Sequence, residues 1–287
     1  TGDTISVPRQ ELLDKLTVDK KDYYDREAIA KDIDYLTRMT QNDGYAYADI
    51  TPKTQTREAD QKVDITYNIK KGSLVYFNRI NITGNTKTRD KVIRRQLDFT
   101  EGDLYSSDRI KNSYARLNKT RYFEEVNFQT AKGPDESLTD INISVKERPT
   151  GMFSVGAGYS GQDGPMIMAQ IAQQNLFGRG QSLSLQTSLG TERNTIALSF
   201  TEPALFDRPL WMKADLWKTY QEYDTYNLDS KGLALMVGFP LWELIGMSVG
   251  YRLAMNDVMD VQDIAAQIIK DQAGESTQSG ILTALSR

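Results

Sequence analysis

The feature that most limits what this chain can fold into is an internal repeat. Tyr24, Ile29, Ile33 and Leu36 return 81 positions later as Tyr105, Ile110, Tyr114 and Leu117. Self-similarity at a fixed period means that one supersecondary unit occurs twice, and this constrains architecture before any propensity does. The 29/33/36 spacing marks one face of a helix. Asp25 and Ser107 stand where N-caps belong, and Leu12-Leu13 and Val92-Ile93 mark an earlier, shorter helix in each copy, with Ser6 and Thr88 as cap candidates. Behind the longer helices, Val63, Ile65, Tyr67 and Ile69 alternate with polar residues, as do Ile141, Ile143 and Val145. Each copy closes in strands.

A copy therefore reads strand, helix, helix, strand, strand. The second opens with a strand over Val75–Ile82 and the turn Thr83-Gly84-Asn85. The equivalent strand of the first falls before residue 3, so the expected domains are 1–72 without its first strand, 73–149 complete, and 150–287. With no signal peptide before Thr1-Gly2-Asp3, the sequence reads as the interior of a longer chain.

Past Pro149 the period becomes two. Phe153, Val155, Ala157 and Tyr159 alternate with small residues; Leu183, Leu185 and Leu189 follow, then Ile196, Leu198 and Phe200, then Met212, Ala214 and Leu216. Leu233 to Phe239 and Met247 to Met255 continue the pattern. Residues 1–150 hold 26 basic and 25 acidic side chains against 9 and 14 in the remainder, which takes 14 of the 20 glycines. Segments of roughly ten residues, apolar on one face and small or polar on the other, suit a transmembrane barrel, and a soluble β-sandwich alternates in the same way. Tyr and Trp at 211, 217, 220, 223 and 226 are candidates for an interfacial girdle.

Chemistry is restricted by what the chain lacks. Without cysteine there is no disulfide or thiolate site, and without histidine the commonest general base and metal ligand are gone. The formal charge of −4 argues against a nucleic-acid partner. Gly156-Ala157-Gly158-Tyr159-Ser160-Gly161 fits G-x-G-x-x-G, but a turn and a strand follow where a helix is required. Gly246-Met247-Ser248-Val249-Gly250 fits G-x-S-x-G, but inside an alternating strand. Lys20-Lys21, Lys70-Lys71 and Arg94-Arg95 are short basic pairs read as solvated faces. The expected molecule is not an enzyme and carries no cofactor or metal.

Phe77, Ile80, Ile82, Gly84, Asn85 and Thr86 at the opening of the second copy, Leu117, Lys119, Tyr122 and Phe123 in its middle, and Ile143, Val145, Lys146, Glu147 and Arg148 at its close resemble the POTRA repeat of outer membrane assembly proteins. Arg121 stands where such units often carry glycine, a departure that costs some backbone freedom. Gln174 to Gly180, and Phe200-Thr201-Glu202-Pro203-Ala204-Leu205-Phe206, are similar to the start of a BamA-type barrel. The resemblance implies α+β POTRA repeats followed by about seven to eight of sixteen antiparallel barrel strands.

It also implies a function, the insertion of β-barrel precursors into a bacterial outer membrane with the repeats in the periplasm. Expected partners are unfolded precursors, periplasmic accessory lipoproteins and outer membrane lipid. A TamA-like translocation module or a two-partner secretion pore is the alternative within the superfamily, and a soluble adhesion sandwich lies outside it. Gly151, Phe153, Val155, Gly156, Gly158, Tyr159 and Gly161 on the first barrel strand are expected to form a seam open to a client strand. Arg94, Arg95 and Gln96, on a helix expected over Asp90–Leu97, are expected to face a partner of the last repeat. Glu202, Pro203 and Phe206 are expected to end a strand and anchor a turn, with Glu202 facing the barrel interior or the periplasmic rim.

Overall fold

The computed structural model describes residues 1–18, 23–161, 163–242 and 244–287, which leaves Lys20-Lys21 outside the described residues. It divides into two compact units: Thr1–Thr86 with Asp90–Arg148, and Lys87–Arg89 with Pro149–Arg287.

The first unit holds both copies of the repeat. The first copy runs α1 (Arg9–Lys15), α2 (Arg26–Asn42), β1 (Asp49–Arg57) and β2 (Lys62–Lys70), and the second β3 (Tyr76–Thr83), α3 (Asp90–Arg94), α4 (Ser107–Lys119), β4 (Phe123–Lys132) and β5 (Leu138–Glu147). Asp25 caps α2 by accepting from the N–H groups of Glu27 and Ala28. The cap of α4 is Ser106, one residue before the expected Ser107. Ser6 caps nothing; its N–H and hydroxyl both donate to Asp43. Helix α3 stops at Arg94, short of the expected Leu97, because Gln96 and Leu97 tighten into turns bonded to Ile93 and Arg94.

Burial follows the predicted faces in part, since Leu13, Tyr24 and Tyr114 are exposed. Val75, Phe77, Ile93, Leu117, Ile141 and Ile143 are fully buried in the second copy, where the sheet order is β3-β5-β4 with β3 parallel to β5. The first copy keeps a smaller core of Leu16, Leu36 and Ile50.

Two glycines confirm the repeat in backbone terms. Gly84 has φ +86°, and a Cβ there would lie 1.9 Å from the Val145 carbonyl oxygen; Gly2 has φ +97°, and its Cβ would lie 2.2 Å from that of Ile69. Both pin the chain against the last strand of their own copy, where only glycine fits. At Arg121, where glycine was the expected residue, φ is +60°. The side chain there bears the left-handed strain that the sequence departure implied.

The second unit is one antiparallel sheet in sequence order: β6 (Gly151–Ser160), β7 (Gly164–Leu176), β8 (Gln181–Gly190), β9 (Arg193–Glu202), β10 (Trp211–Tyr223), β11 (Tyr226–Trp242), β12 (Ile245–Met259) and β13 (Gly274–Ser286), with α5 (Gln267–Lys270) in the last connection. Register aligns Phe153, Ile171, Leu185, Leu198, Leu216, Leu233 and Leu253 across seven strands, ending at Ser279. One residue along, the other face reads Ser154, Gln170, Gln186, Ala197, Trp217, Gly232, Ala254, Gln278. An apolar row backed by a polar and small one is the pattern of a barrel wall.

Candidate functional site

Strand β6 is one edge of this sheet. It pairs with β7 from Gly151↔Gln173 to Ser160↔Gly164 and, among the described residues, with nothing on its other side. Its start is held by Thr150, whose hydroxyl accepts from Gln173 Nε2 at 2.7 Å and whose carbonyl accepts from the Gln174 N–H. Beyond that anchor the side chains contribute little. Phe153, Val155 and Tyr159 are 69, 62 and 80% exposed. A Cβ at Gly156 or Gly161 would meet nothing within 4 Å among the described residues, and one at Gly158 would make ordinary contact with Met166 and Met168. These three glycines do not relieve crowding inside the chain. They leave a strand held by its backbone bonds, and a free strand edge accepts another strand without reading its sequence.

Arg94, expected to face a partner, makes two contacts within its own repeat. Arg94 donates to Glu101 at 2.8 Å and to the Ile80 carbonyl oxygen at 2.8 Å, which braces α3 against β3. Burial pushes the Glu101 carboxyl up, but the hydrogen bond and charge of Arg94 outweigh it, and the group sits below its ordinary range. Arg95 and Gln96 are half-buried. Arg94 therefore braces its own repeat while its side chain stays on the surface.

Glu202 ends β9. Its two oxygens accept from the Ala204 N–H at 3.0 Å and from Gln181 Nε2 at 2.6 Å. It shares strand parity with Leu198 and Phe200, and pairs with Met212 at the sheet end. Pro203 interrupts the ladder and Phe206 follows at the turn with φ +57°.

Arg94 to Gln96 belong to the first unit; within the second, β7 and β8 lie between the β6 edge and the Glu202 turn. Ser248 of the G-x-S-x-G match is buried inside β12, and Gly156 to Ser160 lie in β6, so both matches are strand segments. Of the girdle candidates, Trp211 and Trp217 share the parity of Ser199 and Asp215, opposite to Leu198 and Leu216.

Sequence reasoning missed two polar centres in the first unit. Asp32, 1% exposed, accepts from the Thr17 and Val18 N–H groups and from the Tyr67 hydroxyl. Burial first, then the Asp32 charge and hydrogen bond, push the Tyr67 hydroxyl far above its ordinary pKa. The second centre joins the copies. Asn42 Oδ1 accepts from the hydroxyls of Ser106 (2.9 Å) and Ser107 (3.3 Å) and from the Asp108 N–H (3.0 Å), and Asn42 Nδ2 donates to Asp108 Oδ2 at 2.6 Å.

Residues 1–72 and 75–148 match the family described as "POTRA: Surface antigen variable number repeat", and 175–287 match the "Omp85 superfamily domain". The chain belongs to the POTRA-bearing Omp85 family. It is 34% identical over 267 residues to the outer membrane protein assembly factor BamA of Nitratidesulfovibrio vulgaris, a match over 92% of this chain and 34% of that one. Against BamA of Neisseria meningitidis serogroup B it is 35% identical over 205 residues, 70% of this chain and 26% of that one. The chain thus spans about a third or less of the length of these Omp85 relatives. The crystal structure of BamA from Haemophilus ducreyi lacking POTRA domains 1–3 shares the fold, with a TM-score of 0.80 and 23% identity over 99% of this chain and 57% of that one. In the Omp85 family the repeats are periplasmic and the sheet is in the outer membrane.

Proposed function

We propose that this chain is part of an outer membrane assembly factor that inserts β-barrel precursors by templating a client strand on the outer edge of β6. Residues 150–287 form the first half of a sixteen-stranded barrel on this reading. Residues 73–149 are the last POTRA repeat. Residues 1–72 are the one before it, with its opening strand supplied from upstream alongside β2. The repeats receive unfolded precursors and accessory lipoproteins in the periplasm, with the segment Arg94, Arg95 and Gln96 of the last repeat as the surface that meets the lipoproteins.

The observation that carries this reading is how little side-chain packing holds β6: Phe153, Val155 and Tyr159 are exposed, and Gly156 and Gly158 add almost no packing that a seam would have to break. Templating of this kind needs neither a base nor a cofactor, only N–H and C=O groups held in register.

The test is a reversible lock. Paired cysteines on β6, at Val155→Cys or Ala157→Cys, and on the last strand of the full-length protein are oxidised to close the seam. Assembly of a test barrel protein should stop and return with reductant. Undiminished activity in fully crosslinked protein would overturn the proposal.

A further inference from the structure

On the polar and small face of the sheet, the face of Ser154, Trp217 and Gly232, glycines inside the sheet are covered. A Cβ at Gly232 would lie 2.5 Å from Trp217 Cζ2, and one at Gly238 would lie 2.2 Å from Trp211 Cε2. Trp217 and Trp211 are the residues directly opposite these glycines in the β10–β11 ladder. At Gly250 on β12 the space is closed as well, by the Leu235 carbonyl oxygen 2.8 Å from the Cβ position. At the first two positions a ring from directly across the ladder takes the place of the missing side chain.

The glycines of β6 depart from this pattern. Gly156 and Gly158 share the parity of Ser154, and the residues directly opposite them on β7 are Met168 and Met166. A Cβ at Gly156 would meet nothing within 4 Å among the described residues. One at Gly158 would touch only Met166 Cγ at 3.7 Å and Met168 Cε at 3.8 Å. Strand β7 therefore borders the two glycines with thioether side chains and covers neither. Methionine is unbranched and polarizable, so it fits irregular shapes and makes favourable contacts with aromatic rings.

Since β7 leaves Gly156 open, a ring that covers it has to come from the other side of β6. A strand added there in the antiparallel order of the sheet sets one side chain directly opposite Gly156 and another opposite Gly158, both on this face. A small side chain at the first position leaves the hollow beside Met168 empty. A flat ring lies across a glycine, as the indoles do at Gly232 and Gly238, and ends against the methionine. Backbone pairing alone holds any strand. The open glycine gives this edge a side chain to read.

We infer that Gly156, with Met168 beside it, is a recognition seat for an aromatic side chain of the client strand, carried on that strand's lumen-facing side directly opposite Gly156. The inference rests on the templating reading and adds selection to it. Backbone bonds hold the strand, and the ring sets its register. A slip of one residue turns the ring to the other face, and a slip of two sets it against Ser154 or Gly158.

The test uses the full-length protein, any cysteine outside this stretch replaced, carrying Val155→Cys and engaged with a stalled barrel precursor whose last strand bears single cysteines in turn. Disulfide yield reports pairing and register. Precursors with one lumen-facing aromatic residue in that strand are compared with the same precursors carrying alanine in its place. Expected is a several-fold higher yield with the aromatic residue, concentrated at the register that sets it opposite Gly156. Gly156→Ala should bring the aromatic precursor down to the alanine level, and Met168→Ser, which leaves β6 unaltered, should reduce its advantage. Ser154→Ala, two residues away on the same face, should preserve it. Heat-modifiable gel mobility selects variants that have folded. Equal yields with aromatic and alanine precursors would overturn the seat and leave templating standing. No crosslink to β6 with any precursor would overturn both. An aromatic residue of the protein's own last strand found crosslinked opposite Gly156 in the precursor-bound state would overturn the seat in favour of a closure contact.

Discussion

The indole of Trp217 lies across Gly232, the residue directly opposite it in the β10–β11 pair, so that a Cβ on Gly232 would come within 2.5 Å of Trp217 Cζ2. Trp211 repeats the arrangement over Gly238, six residues toward the periplasmic end. Arg252 completes the first site by placing its guanidinium 4.7 Å from the Trp217 ring centre. Missing side chains on one strand are thus filled by oversized ones on the next, which stiffens the inner wall.

Gly238→Ala should destabilise the sheet by about 1–3 kcal/mol, the usual cost of overpacking. The three atoms nearest the new Cβ all belong to Trp211, so Trp211→Ala in the same protein should remove most of that loss. At Gly232 the Leu253 carbonyl oxygen also lies 2.4 Å from the new Cβ, and Trp217→Ala should rescue Gly232→Ala only in part. Urea unfolding of the four variants against the parent checks the contrast. Equal rescue at both sites would show that the rings are not what the glycines accommodate.

The two copies of the repeat should be coupled through Asn42. Asn42→Leu leaves two hydroxyls, one N–H and a carboxylate oxygen without their partner, and the expected cost is about 1–3 kcal/mol. Asn42→Asp sets a second carboxylate against Asp108, and adding Asp108→Asn restores a donor between them. Thermal unfolding should show the double variant recovering most of the loss. Simply additive losses would mean that the contact carries no coupling.

Acid should weaken the last repeat through Glu101. Its pKa is lowered in the folded state, so its contribution is present above the ordinary value near 4.5 and is lost as pH falls through the lowered one. Because Arg94 and Glu101 are both well exposed, solvent screens the pair and the effect is small. Arg94→Ala should move the Glu101 titration upward in a carboxyl-resolved NMR experiment. An unmoved titration would show that Arg94 does not hold the group down.

Much of this architecture was legible in the sequence because periodicity is a direct imprint of burial. The 81-residue repeat and the shift to period two were enough to place the repeats and the sheet. The sequence also carried the placement of two candidate girdle residues: Trp211 and Trp217 are out of phase with Leu216, and their six-residue spacing mirrors that of Gly238 and Gly232 across the hairpin. Phase, and not residue type, assigns a side chain to a face. Asn42 and Asp108 lie 66 residues apart and follow no period, so no local pattern joins them. The Arg94 brace depends on the chain returning at Glu101 after α3 has ended, a tertiary event that helical spacing does not encode.

The parallel pairing of β3 with β5 has a mechanical consequence. Chain enters the last repeat at the start of β3 and leaves it at the end of β5, and the paired stretch runs from Tyr76↔Leu138 to Thr83↔Ser144. Tension applied between those two points pulls the strands lengthwise past each other. Every hydrogen bond of the ladder then carries load together, whereas strands peeled apart from one end break theirs one at a time. The last repeat is a shear-loaded link, built to pass a pull along the chain without unravelling.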